Sequence, residues 1–199
     1  MNMSDADRSE KLSISSGGDF AQAMPYDRVA ISLHWLIALL IVGCFCLGWI
    51  MTDIPGFTPM KLKYFSWHKW IGVTALALSV IRIAWRSTHR GPSMPGHMPR
   101  WQRTLAHATH YGLYALMLAI PASGYLYSSA AGIQVIYLGV VPLPPIIGPD
   151  AFLKSILRTL HVALNYTLLA MVTAHMLAAL KHQFMDRDSL LARMIPLVR

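Results

Sequence analysis

Polar and apolar positions along this chain are segregated into long blocks rather than alternating residue by residue. Four blocks, residues 29–50, 67–85, 105–127 and 157–184, are predominantly apolar. As helices rising 1.5 Å per residue, they are long enough to cross a hydrocarbon layer of about 30 Å. The pattern predicts an all-α integral membrane protein, a bundle of four spanning helices. Pro121, near the end of the third block, predicts a kink. Residues 1–24, rich in Ser, Gly and Asp, read as a flexible tail, and residues 25–199 as one membrane domain. A short loop, 52–63, joins the first two blocks. The next connector, 86–103, carries Arg86, Arg90, Arg100 and Arg103 and no acid. The last, 128–150, is apolar and holds Pro142, Pro144, Pro145 and Pro149, which predicts an irregular segment lying against the bundle or at the interface.

Composition sharpens this picture. Only 13% of the residues are charged against 55% hydrophobic, roughly half the charged share of a soluble domain. The net charge of +8 would raise nucleic-acid binding in a soluble chain. Here the basic residues lie between the blocks, where they set topology, and no nucleic acid is implied. Lys61, Lys63, Lys69, Lys154 and Arg158 fall on one side of the predicted bundle, and the other 12 of the 17 Lys and Arg on the side of both termini. That bias places both termini in the cytoplasm. Residues 1–24 lack the apolar centre of a secretory signal. Cys44 and Cys46, two apart, point to different faces of a helix, so no disulfide framework is expected. All six tryptophans lie near block ends, as an aromatic belt requires.

The candidate chemistry sits in the fourth block. It carries His161, His175 and His182 on one stripe. The first two are 14 residues apart, which on a helix is about 21 Å of rise and about 40° of rotation. Ionisable side chains inside a membrane are costly and mark function, and imidazole is an axial ligand of haem iron. Two imidazoles on one face, at two depths, suggest two haems, one near each surface, each needing a second ligand from another helix. The chain has no Cys-x-x-Cys-His stretch, so any haem is held non-covalently. Depth selects the partners. His34 lies in the cytoplasmic half with His175, and His68 in the outer half with His161. His107 and His110, also near the cytoplasmic surface, leave an alternative open, in which one of them replaces His34; otherwise they line a polar pocket or bond a haem propionate. His182, at the cytoplasmic interface, reads either as a solvated helix-end histidine or as a proton-exchanging partner of a bound quinone.

Arg82 lies 14 residues after His68, on the same face but at cytoplasmic depth. It would neutralise a propionate or bind a quinone carbonyl, or else snorkel to the surface. Lys69, Arg158 and the remaining outer lysines form a positive rim, which attracts anions and pairs with propionates, or is simply solvated. Gly72, one turn from His68, would let a porphyrin approach, although small residues also serve helix packing. Apart from Asn165, and Gln183 at the end of the fourth, the blocks hold no Asp, Glu, Asn or Gln, so they lack the carboxylate relay of a proton-coupled transporter.

The stretches ISLHW at His34, WHKWIG at His68, LAHATHYGLYAL at His107 and His110, LHVALNYTLLAMVTAH at His161 and His175, and the closing KHQFMDRDSLLARMIP resemble the bacterial cytochrome b561 family. That family is related to the di-haem cytochrome b subunits of nickel–iron hydrogenases. The resemblance runs from about Tyr26 to the C-terminus. It implies a four-helix protein of the bacterial inner membrane with two b haems in its core, ligated by His34, His68, His161 and His175. It further places His182 near the quinone and makes Arg158 the basic residue before the outer ligand. The implied function is quinone-linked electron transfer, with superoxide or another outer donor feeding ubiquinone. An alternative is a membrane-anchoring subunit that exchanges electrons with a separate dehydrogenase or hydrogenase. A haem-free channel or transporter is the reading from a different class.

Overall fold

The computed structural model describes residues 26–89, 91–94, 98–186 and 190–195. The tail at 1–24, and Arg90, His97, Arg187 and Arg199, lie outside the described residues. Four long helices dominate: α1 (Arg28–Asp53), α2 (Pro59–Thr88), α3 (Arg100–Ala130) and α4 (Ala151–Lys181). α1 packs along α2, α2 along α3, and α3 along α4. Each start has a local cause. The Asp27 carboxylate accepts from Ala30 N at 2.8 Å, and Asp150 accepts from Phe152 N and Leu153 N at 2.8 and 2.9 Å. Thr58 caps α2 through Lys61 N, with Pro59 preset at the first helical position. α3 follows Pro99 with no side-chain cap. It ends where Gly132, at φ 72°, adopts the left-handed conformation that lets the next amides close on the last turn.

Three stretches, α1, α2 and Ala151–Asp186, are long and apolar enough to cross a membrane, and no more than 11% of each apolar window is buried. Apolar surface left exposed on that scale suits lipid rather than water. α3 has the length, at 31 residues, but is not among the three, in contrast to the four equal blocks expected. Its polarity has direction: Ser123, Ser128 and Ser129 are buried, and His110 faces His175 on α4. Polar groups turned towards neighbouring helices lower the mean apolar character without meeting lipid. The helix runs through Pro121 without a break to Ala130.

The apolar connector is not wholly irregular. Ile136–Tyr137 (β1) pairs antiparallel with Val141–Pro142 (β2), around a turn in which Leu138 and Gly139 both have positive φ. It lies on the helices: Trp70 Nε1 donates to Ile136 O at 2.7 Å, Thr74 shares a hydrogen bond with the Tyr137 hydroxyl, and Tyr125 bonds Pro144 O. At the opposite end the chain folds back. Arg193 is 4% exposed and donates to Ser93 O at 2.6 Å, while Tyr26 N bonds Arg193 O and Trp35 Nε1 bonds Met194 O. Trp85 bonds Asp27 and stacks on His89. Three of the six tryptophans therefore also tie loops and termini to helices.

Candidate functional site

The helix order brings the predicted histidines together in two places. The rings of His68 (α2) and His161 (α4) have centroids 6.3 Å apart, with planes at 83°. Those of His34 (α1) and His175 (α4) are 6.5 Å apart, with planes at 75°. α4 thus meets α2 at one level and α1 at another. His161 and His175 lie in one continuous helix, about 21 Å apart by helical rise. His110 stands 5.5 Å from His175, and His107 is exposed.

Ring spacing tests whether haem iron fits. Two imidazoles bound at about 2.0–2.1 Å through one nitrogen each place their centroids roughly 6.0–6.5 Å apart. Both pairs meet that spacing, whereas His110 and His175 are closer than an intervening iron permits. The pair expected on the outer side, His68 and His161, also has its rings oriented. His68 Nδ1 lies 3.1 Å from Cys44 O on α1. His161 Nδ1 lies 3.0 Å from Ile120 O on α3, and 3.0 Å from Ser123 Oγ. Because Ser123 Oγ itself donates to Ile120 O at 2.7 Å, it accepts from the ring. In each ring a carbonyl acceptor keeps the proton on Nδ1 and leaves Nε2 bare, the arrangement that orients a metal-ligating histidine. Among the described residues neither His34 nor His175 has such a ring-nitrogen bond.

A cleft with about 1020 Å³ of empty space, part of it open, lies beside the outer pair. His68, His161, Cys44, Lys69 and Gly72 line it. A Cβ at Gly72 would meet nothing within 4 Å, so the position borders open space. Lys69 is half-buried at the cleft, while Arg158 is exposed one turn before His161. Lys61 bonds Ile54 O and Lys63 lies over the Trp67 ring, so part of the rim is held in place.

At the level of His34 and His175, Arg82 turns inward to the bundle. It is 9% exposed and donates to Ala30 O on α1 at 2.8 Å, with the Tyr114 side chain of α3 close by. Arg86 Nη1, Arg103 Nε and Gln183 Oε1 are buried without a partner among the described residues. The two arginine nitrogens are donors that suit an anionic or carbonyl ligand, and the Gln183 oxygen is an acceptor. His182 opens a π-helical turn, His182–Asp186, a geometry frequent at functional sites. Its Nδ1 lies 3.0 Å from Asp186 Oδ2, and Lys181 Nζ 2.5 Å from the same oxygen.

Reading the sequence missed Cys44 O, Ile120 O, Ser123, Tyr114 and Asp186. The carbonyls have no sequence signal at all. Ser123 had one: the run Pro121-Ala-Ser-Gly124 marks close helix approach within a membrane.

The profile of the family described as prokaryotic cytochrome b561 matches residues 25–197. The chain is 33% identical over 172 residues to cytochrome b561 homolog 2 of Escherichia coli K12, covering 85% of this chain and 90% of that protein. It is 28% identical over 175 residues to a probable superoxide oxidase, CybB, of Yersinia pestis, covering 86% and 96%. Cytochrome b561 homolog 1 of E. coli K12 is 24% identical over 175 residues, covering 86% and 97%. With helices that suit a membrane and imidazoles paired at ligand spacing, the chain belongs to the prokaryotic cytochrome b561 family, membrane proteins that bind b-type haem and carry electrons.

Proposed function

We propose that this protein passes electrons from a donor at the outer face of the bacterial inner membrane to ubiquinone at the cytoplasmic face. In this reading all four helices span, with both termini cytoplasmic. His68 and His161 hold an outer b haem and His34 and His175 an inner one. The two ring spacings, 6.3 and 6.5 Å, carry the proposal. When bound, the haems supply one-electron redox carriage across the apolar interior.

The protein's own residues do the rest. Cys44 O, Ile120 O and Ser123 orient the outer imidazoles. Lys69, the buried Arg82 and the half-buried Arg86 and Arg103 offer positive charge where propionates or a quinone carbonyl would lie. His182, backed by Asp186 and Lys181, holds or moves a proton at Nε2 beside the quinone, since an imidazole nitrogen can either donate or accept a proton. Superoxide is the donor we favour, on the strength of the outer lysine and arginine rim and of the probable superoxide oxidase among the relatives. The balance is simple. Two superoxide ions each lose one electron and leave as two molecules of oxygen. One ubiquinone takes both electrons, and two protons from the inner side, to become ubiquinol.

Stopped-flow mixing of the purified, haem-loaded protein with superoxide tests the donor. Haem reduction should outrun spontaneous dismutation and slow as ionic strength rises, because salt screens the rim. Reduction no faster than dismutation would remove superoxide as the donor. A haemochrome assay giving other than two haems per chain would remove the pairing.

A further inference from the structure

His68 and His161 reach their backbone acceptors in the same way. Each accepting carbonyl belongs to the residue four positions before a glycine, Cys44 before Gly48 in α1 and Ile120 before Gly124 in α3. In an α-helix the carbonyl of residue i points along the axis towards residue i+4. A ring that shares this carbonyl from outside must lie against position i+4, where a side chain would obstruct it. The two places differ in tightness. A Cβ at Gly124 would fall 2.9 Å from His161 Cε1 and 3.2 Å from its Nδ1, inside the separation of about 3.5–4.0 Å at which carbon atoms pack. At Gly48 the nearest atom, His68 Cε1, is 3.7 Å away, an ordinary contact.

Neither glycine is there for its backbone, since neither has a positive φ. Glycine inside a helix is also less stable than alanine. The clearance at Gly124 therefore requires another reason. We infer that Gly124 is a positioning residue for the outer ligand pair: its missing side chain admits the His161 ring to Ile120 O and Ser123. That contact keeps the Nδ1 proton in place and leaves Nε2 without a hydrogen. The inference rests on the reading of His161 as an axial ligand. Gly48 shares the geometry without the constraint, and alanine fits there.

The test uses the full-length protein purified with its haems. Gly124→Ala should move the low-spin ferric resonance of the outer haem, or drop haem content from two per chain to one, with the inner haem's signal unchanged. Gly48→Ala should leave both signals and the stoichiometry as they are. In a His161→Ala background, adding Gly124→Ala should change neither yield nor haem content, because the ring it would obstruct is gone. That comparison decides the matter even if Gly124→Ala alone accumulates poorly. A wild-type spectrum and stoichiometry in Gly124→Ala would overturn the inference, as would an equal loss of yield with and without the His161 ring, which would make Gly124 a helix-packing residue. Two haems retained in His161→Ala alone would overturn the ligand reading itself, and this inference with it.

Discussion

The outer and inner histidine pairs share ring spacing and little else. The outer rings are each fixed through Nδ1 by a carbonyl of a neighbouring helix, and Ser123 adds a third contact. The inner rings have no such partner among the described residues. Around them stand His110, the buried Arg82, and the unpartnered Arg86 Nη1, and beyond them the π-helical turn with its His182–Asp186 contact. Fixed hydrogen bonds of this kind hold a ligand's orientation and tune the potential of the group it binds. A polar end with spare donors and titratable groups suits a place where a second molecule docks and protons move. The lesson is that equal spacing does not make equal sites.

The largest effect that could break this comparison comes from the ligands. Replacing His68 or His161 by Ala should remove one whole haem per chain and leave the other, and replacing His34 or His175 should remove its counterpart. Haemochrome stoichiometry and low-temperature difference spectra would read this. Loss of the same haem from all four variants would erase the distinction between levels. Next comes His182→Ala, which should slow ubiquinone reduction by about 10- to 100-fold while both haems remain bound. Asp186→Asn should have a smaller effect of the same kind, read by turnover with a soluble quinone. A fall in haem content instead would make the π-helical turn structural.

A finer test separates tuned from untuned rings. Ser123→Ala removes one acceptor from the His161 Nδ1 proton, weakening the imidazole as a donor to iron. The outer haem's midpoint potential should rise by roughly tens of millivolts, with the inner unchanged, since hydrogen bonds around the ligands set potential. Redox titration followed optically would show it. Smallest is the end of the bundle where Asp27 caps α1. The Ala30 N–H, and secondarily Trp85, hold its carboxyl below the usual range. A lowered pKa means the carboxylate's stabilisation is fully present above the ordinary value near 4 and is lost as pH falls through the folded value. Asp27→Ala should cost about 1 kcal/mol or less at neutral pH. Its gap in thermal stability from the wild type should close towards pH 3.

Much of this arrangement was readable in advance, for identifiable reasons. The four helices follow from apolar length, and the pairing of His34 with His175 and His68 with His161 from depth, because helical rise converts residue number into height. Arg82 was noticed for its depth, but whether it turned inward or snorkelled depended on Ala30 O and Tyr114, which belong to other helices. The sequence placed His110 near the same depth as His34, but not that its ring stands 5.5 Å from His175. α3 looked like the other blocks, yet its buried serines, and His110 facing His175, turn part of its polarity towards its neighbours. Arg193 counted as one more charge for topology and is instead a buried clasp on Ser93.

From its residues alone this chain declared a membrane protein, the number of its helices and the heights of its imidazoles, since hydrophobic length and the pitch of a helix are local properties. Only the packed molecule could say which nitrogen of the His68 and His161 rings is engaged. The answering groups are main-chain carbonyls, present at every residue and made distinctive only by which helix lies against them and by a glycine that leaves room.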